Sequence, residues 1–288
     1  MRFRLDIPTA RGPVLNGVLF RAQKERKTDT VMIAITGIHG NFYSNPFYNN
    51  IGETLNKNGI DFIYAQTNDA FSKMLTYNVN TGQEVTIGSY NERFAFTLDD
   101  ISSYLNFSQE ERYGHIILAG HSLGANKVIH YLSETDDPRV EHFFLLSPAN
   151  LDHMMSYVTD EEKELILNQV ELGLGNRMLP FPFMGWVECI VDTAYDWQFS
   201  GILNNVHTHK KADFTQVEKI NKPGAMLVGT LDNFTDGDPV EFLKNINSHM
   251  PTAERNKLHF IKDTGHTYQM KNQEVADVIT EQILNWSK

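Results

Sequence analysis

A serine between two glycines, in the run "ILAGHSLGAN" at residues 117–126, is where this chain most clearly sets out residue types that could do chemistry. A serine hydroxyl is a weak nucleophile at neutral pH. To attack a carbonyl carbon it needs a base to take its proton and N–H donors for the oxyanion that forms. Gly120 and Gly124 stand two residues before and two residues after Ser122. By itself that pattern is short enough to arise by chance, and a turn serine of no consequence is the plain reading. The surroundings add to it. The apolar run "HIILAG" (115–120) leads in as a strand, and "GANKVIHYLSE" (124–134) leads out as a helix with Val128, Ile129 and Leu132 on one face. A serine held on so sharp a strand-to-helix turn sits in a disfavoured backbone conformation, and small residues on both sides let strand and helix approach. Ser122 is therefore expected to be a nucleophile. Leu123, the first residue after it, offers a backbone N–H at a helix N-terminus, where developing negative charge is favoured.

The elements that must carry this turn are legible as alternating strands and helices. "RFRLDI" (2–7) and "VLNGVLFRA" (14–22) are expected to pair as an antiparallel hairpin at a sheet edge. "VMIAIT" (31–36), "DFIYAQ" (61–66), "HIILAG" (115–120), "EHFFLLSP" (141–148), "AMLVGT" (225–230) and "LHFIKD" (258–263) read as further strands. Helical patterns occupy 45–59, 92–107 and 124–134, and Val275, Val278, Ile279, Ile283 and Trp286 mark a terminal helix. This alternation predicts an α/β fold, a mostly parallel sheet with helices on both faces. Between Pro148 and Pro223 it stops: 161–175 is helical, and 178–199 is aromatic and irregular. Residues 149–218 are expected to form a helical lid inserted into a core made of 1–148 and 219–288. Peripheral helices filling a groove are the plainer alternative, but Phe181, Phe183, Trp186, Tyr195 and Trp197 supply more aromatic surface than those need.

Composition bounds the function. The chain has 288 residues, enough for one large α/β domain or a core with an insertion, and carries 25 Lys and Arg against 36 Asp and Glu, a net charge of −11. That balance argues against a nucleic-acid partner, whose phosphates call for basic clusters. The two basic groups, 21–27 and 207–211, are read as solvated loops. The N-terminus lacks a signal-like apolar region, no apolar run is long enough to span a bilayer, and the single cysteine, Cys189, forms no internal disulfide. A cytoplasmic protein is expected.

"GHSLGAN" after a strand, in the order strand, nucleophile, insertion, acid, histidine, resembles the α/β-hydrolase superfamily over nearly the whole chain. The stretch "GSYNERFAFTLDDISSYL" (88–105) resembles an esterase-like branch of it. The resemblance implies the chain order Ser, then Asp or Glu, then His. Of the eleven histidines, His115, His142 and His259 lie in or beside strands, and His207 and His209 form an H-x-H pair without the further ligands of a metal site. His121 adjoins the nucleophile but points elsewhere in such a turn. His266, in "DTGHTY" (263–268), occupies the loop where the superfamily carries its base. For the acid, "VGTLDNFTDGDP" (228–239) offers Asp232, Asp236 and Asp238. The superfamily form G-x-x-D maps onto Gly229 and Asp232. Asp238, before Pro239, is the runner-up acid and more simply a helix N-cap, with Asp152 third. The second oxyanion donor should come from "TGIHGNF" (36–42) in one of two registers. Ile38 donates if Thr36-Gly37 stands at the superfamily's His-Gly, and Asn41 if His39-Gly40 does. The end of the apolar run at residue 36 favours Ile38.

Together these residues imply two-step acyl transfer: attack by Ser122, proton transfer through His266 held by an acid, and release of an acyl-enzyme by water, with no metal or other cofactor. Superfamily relatives that act on haloalkanes or epoxides use Asp at the elbow, so Ser122 argues against both. Hydrolysis of a carboxylic ester is the leading expectation, of a bulky natural-product or xenobiotic ester given the aromatic lid. His39, Phe183, Trp186 and Trp197 are the expected substrate contacts, with a loop-structuring role the alternative for His39. Amide, thioester or peptide hydrolysis on the same triad, or a binding protein that kept the fold without turnover, are the alternatives. The expected partner is a small-molecule ester; a homodimer is compatible with the sequence.

Overall fold

The computed structural model describes residues 1–23 and 29–287, so 24–27 of the first basic group lie outside the described residues. Eight strands form one sheet: β1 (Arg2–Pro8), β2 (Val14–Phe20), β3 (Thr30–Ile35), β4 (Asp61–Ala65), β7 (His115–Ser122), β8 (Val140–Pro148), β9 (Gly224–Gly229) and β10 (Lys257–Ile261). Between β4 and β7, β5 (Met74–Asn78) and β6 (Gln83–Ile87) pair with each other as a separate hairpin. The sheet order is β1-β2-β4-β3-β7-β8-β9-β10; β2 runs antiparallel to both its neighbours and every other pair is parallel.

The central strands are apolar on both faces because both faces are covered. Val31, Ile33, Ile35, Ile116, Leu118, Phe143, Leu145, Met226 and Val228 point into one core cluster, and Met32, Ala34, Ile117, Ala119, Phe144, Leu146, Ala225 and Leu227 into the other. This alternation is the period-2 consequence of strand geometry. The first cluster is closed by α2 (Thr97–Glu110), α3 (Leu123–Thr135) and α7 (Pro239–Ser248). The second is closed by α1 (Phe47–Lys57) and α8 (Asn272–Trp286), whose Ile51, Leu55, Val275, Ile279 and Ile283 are buried against the strands.

Between β8 and β9 run α4 (Leu151–Met155), α5 (Asp160–Glu171) and α6 (Val191–Phe199). They share a third apolar cluster of their own, which meets the core at Leu123 and Phe94. Thr159 and Glu162 cap α5 reciprocally, fixing where that helix starts.

The structure departs from the sequence reading in three places. The loop-rich stretch after β4 contains the β5–β6 hairpin, whose residues are largely exposed or half-buried and so lack an apolar run. Helix α2 starts at Thr97 rather than 92, after two short 3-10 turns. The irregular aromatic segment 178–199 ends in α6.

Candidate active site

Ser122 ends β7 with φ 55° and ψ −131°, a conformation that L-residues rarely adopt, and α3 begins at the next residue. The glycines around it are there for contact. A Cβ on Gly120 would lie 2.1 Å from the Gly124 carbonyl oxygen, and one on Gly124 would lie 2.4 Å from that of Ile35. Strand, turn and helix can meet this closely only without side chains.

Two loops are tied together beyond the ends of β9 and β10. The Leu231 N–H donates to the Thr264 carbonyl (2.9 Å) and the Asp232 N–H to that of Gly229 (3.1 Å). This splice places the Asp232 carboxylate against the imidazole of His266, with Nδ1 3.0 Å from each carboxylate oxygen. An ionised carboxylate can only accept, so Nδ1 carries the proton and Nε2 presents its lone pair. That Nε2 is buried and has no hydrogen-bond partner among the described residues. Ser122 and His266 line the same cavity of about 150 Å³.

The electrostatics keep the acid charged. Burial of Asp232 works to raise its pKa. The hydrogen bond and charge of His266, the Phe234 N–H (2.9 Å) and the Ser147 hydroxyl outweigh that, and the carboxyl is held below its usual value. His121, beside Ser122, is buried, which drives its imidazole down to about 3. It is thus a neutral donor, and its Nε2–H bonds the backbone carbonyl of His266 at 2.8 Å. The Phe234 ring lies over the His266 imidazole, with centroids 4.2 Å apart.

The other carboxylates have other partners. Asp238 is the N-cap of α7, accepting from the Val240 and Glu241 N–H groups at 2.8 and 2.9 Å. Asp236 is exposed and lies 3.6 Å from His153 Nδ1. Asp152 accepts from His207 Nδ1 at 2.6 Å and from the Asn204 side chain. Of the H-x-H pair, His207 is therefore engaged and His209 is exposed. Among the described residues no cluster of His, Cys, Asp and Glu could hold a metal ion.

The loop after β3 presses on the elbow: a Cβ on Gly37 would lie 2.9 Å from Ser122 Cβ and 3.3 Å from the Leu123 nitrogen. Its amides differ in availability. Asn41 N–H donates to Ser44 Oγ (2.8 Å) and His39 N–H to the Asp69 carbonyl (2.9 Å). The Ile38 N–H has no acceptor among the described residues, so of the two registers only the Ile38 one leaves its donor free. His39 itself has φ 54° and pairs through Nε2 with Ser89 Oγ at 2.7 Å.

His39 and Trp186 line the cavity that holds Ser122, together with Met154 and Phe234. A second cavity, of about 240 Å³, shares Met154, Trp186 and Phe234 and extends to His153, Tyr157 and Met184. The other two expected substrate contacts are corrected by the structure. Phe183 (1% exposed) and Trp197 (4% exposed) sit inside the third apolar cluster, and neither lines these two cavities. A small helical insertion needs its largest apolar side chains for its own interior. Sequence reasoning missed Phe234, Met154, Ser147 and the anchoring role of His121. Phe234, two residues after Asp232, carried a positional hint; Ser147 and Met154 carried none.

The protein has the α/β-hydrolase fold. Similar solved structures include Est1E from Butyrivibrio proteoclasticus, at 16% identity over 98% of each chain with a TM-score of 0.64. DcsB, in complex with its substrate analogue, is similar at 16% identity over 99% of each chain with a TM-score of 0.66. The Pyrococcus furiosus esterase Pf2001 aligns at 17% identity over 100% of this chain and 91% of that one, with a TM-score of 0.60. No protein-family model matches the sequence, and no curated protein is significantly similar to it.

Proposed function

We propose that the protein is a serine hydrolase of carboxylic esters, with Ser122 as nucleophile, His266 as base and Asp232 as the acid that orients it. The observation that carries this reading is the His266 imidazole, pinned at Nδ1 by a buried, ionised Asp232 while its unpartnered Nε2 borders the cavity of Ser122. In this mechanism Nε2 takes the Ser122 proton as Oγ attacks the acyl carbon, and the Leu123 and Ile38 amides receive the oxyanion. The proton passes from His266 to the departing alcohol, and the acyl-enzyme remains. Water then enters, loses a proton to the same Nε2 as it attacks the acyl carbon, and the acid leaves as Ser122 Oγ takes that proton back from His266.

Residues 149–218 act as a cap, placing Met154 and Trp186 over the nucleophile. The second cavity takes the bulky part of the substrate between Trp186 and Phe234. Several similar structures are named as esterases, and Est1E is also known with ferulic acid bound; an aromatic ester is therefore the substrate to test first. A fluorophosphonate probe should label the wild-type protein at one site, and Ser122→Ala should abolish both labelling and ester hydrolysis. Absence of labelling in folded wild type would sink the enzymatic reading and leave a binding protein of hydrolase fold. Short p-nitrophenyl esters turned over far faster than bulky aromatic ones would remove the assigned role of the second cavity.

A further inference from the structure

Behind the elbow lies a cluster of charges that the proposed chemistry does not use. Lys127, on α3 five residues after Ser122, is fully buried, as are the Asp69 and Glu92 side chains that it meets. Its ammonium donates to Asp69 Oδ1 at 2.8 Å, Glu92 Oε1 at 2.9 Å and Thr67 Oγ1 at 3.3 Å, which uses all three of its protons. Next to it Arg11 donates to Asp100 at 2.5 Å, and Asp100 accepts the Asn68 N–H at 3.0 Å. Burial pushes the Glu92 carboxyl up to about 8, against the pull of the Lys127 ammonium.

Stability does not account for this arrangement. Taking ions out of water costs several kcal/mol each, and well-packed apolar side chains often hold a fold as well or better. The anchoring pattern is more informative. The Asp69 backbone carbonyl accepts the His39 N–H at 2.9 Å, and the Ala70 carbonyl accepts the Asn41 side chain at 3.0 Å. Ser89, three residues before Glu92, pairs with His39 Nε2 at 2.7 Å. The Asn68 side chain donates to the Gly88 carbonyl at 3.1 Å, joining the two supporting segments to each other. The N–H and the imidazole of the strained His39, next to the Ile38 amide, are thus held by residues 67–70 and 88–92, while Asn41 and Ser44 of its own loop hold its carbonyl. Among the described residues, Lys127 supplies the side-chain hydrogen bonds that fasten those segments to the helix after Ser122.

We propose that Lys127 is a positioning residue: by pairing with Asp69 and Glu92 inside the protein it fixes the loop of Ile38 and His39 at a set distance from the elbow, so that the Ile38 and Leu123 amides converge on one oxygen. This rests on the serine hydrolase reading above. The same link carries the cap. The Tyr90 carbonyl accepts the Ile190 N–H (2.9 Å), Arg93 pairs with Asp192 (2.5 Å), and the Phe94 N–H donates to Asp196 (2.7 Å). One segment, 88–94, therefore sets both the oxyanion loop and helix α6 against α3.

The test compares folded Lys127→Met with wild type on an aromatic ester, and measures binding of phenylboronic acid, whose tetrahedral adduct occupies the oxyanion site. Removing an oxyanion donor typically costs about a hundredfold to a thousandfold in kcat. A displaced one should cost about tenfold to a hundredfold, with KM within about threefold and boronate affinity falling in step with kcat/KM. A purely structural lysine would lower Tm and leave kcat and boronate affinity of the folded protein unchanged, which would overturn the proposal. Should Lys127→Met fail to fold, Glu92→Gln and Glu92→Leu decide. Gln keeps an acceptor for the ammonium and should keep kcat within about threefold, whereas Leu should lose about tenfold; equal kcat in the two overturns the proposal. In either failure the wild type would still label at Ser122, so the hydrolase reading would stand; an unlabelled wild type would remove both.

Discussion

Asp232 and His266 in front of the elbow, and Lys127, Asp69 and Glu92 behind it, are all withdrawn from water, yet of these five His266 lines the cavity of Ser122 and the rear three do not. In the front pair one atom is left without a partner, His266 Nε2, and it is the atom that the proposed reaction needs. Behind, the ammonium of Lys127 is used completely, and the shortest contacts all run between different segments of the chain. The unmade interactions differ in place: His266 Nε2 belongs to a residue that lines the cavity of Ser122, whereas Asp69 Oδ2 and Glu92 Oε2, also without partners among the described residues, are buried behind the elbow. The electrostatics follow the same division. The front acid is kept below its normal pKa by its partners, and in the rear cluster burial raises Glu92.

Changing the charges separately should sharpen this contrast. The largest effect is expected for Asp232→Asn, which leaves the shape but loses the anion that sets the His266 tautomer. We expect kcat to fall about ten-thousandfold, measured on the best ester, with little change in Tm. Normal kcat in this variant would break the front half of the comparison. Asp238→Ala, on the same loop, should cost about 1 kcal/mol of stability through the lost helix cap and leave kcat alone, as read by denaturant unfolding and steady-state kinetics. A kinetic defect there would move the acid to Asp238.

The smallest effect is the pH dependence of stability. Glu92 has a folded pKa of about 8, above its unfolded value, so its contribution is complete in acid and is lost as pH rises toward and through 8. His121 is depressed to about 3, so its contribution is present above the ordinary histidine range and is lost as pH falls from there toward 3. Tm should therefore decline on both sides of weakly acidic pH, and Glu92→Gln should flatten the alkaline side alone. An unchanged alkaline limb in that variant would remove Glu92 as its source.

How much of this was legible in the sequence follows from the range of each interaction. The strand, elbow and helix around Ser122 are consecutive, so the apolar run, the two glycines and the helical face of Val128, Ile129 and Leu132 could be read together. The other central strands showed as apolar runs because both sheet faces are buried. Asp232 stood out from Asp238 because it directly follows a strand end while Asp238 precedes a helix start, and both signals are local. The β5–β6 hairpin was missed because its residues carry no burial signal. Which aromatic side chains of the insertion face the cavity was not readable, since Trp186 and Trp197 differ only in what folds against them. Lys127 looked like an ordinary helix residue, because its partners come from segments that only the tertiary fold brings together.

The order of elements along the polypeptide also has a consequence for biosynthesis. The Ser122 hydroxyl lies at the end of the seventh strand, the Asp232 carboxylate after the ninth and the His266 imidazole after the tenth. A nascent chain can dock its first strands and the helix after Ser122 before Asp232 and His266 have left the ribosome. On the serine hydrolase reading, the polypeptide stays chemically silent during translation and gains activity only once its tenth strand has added to the sheet.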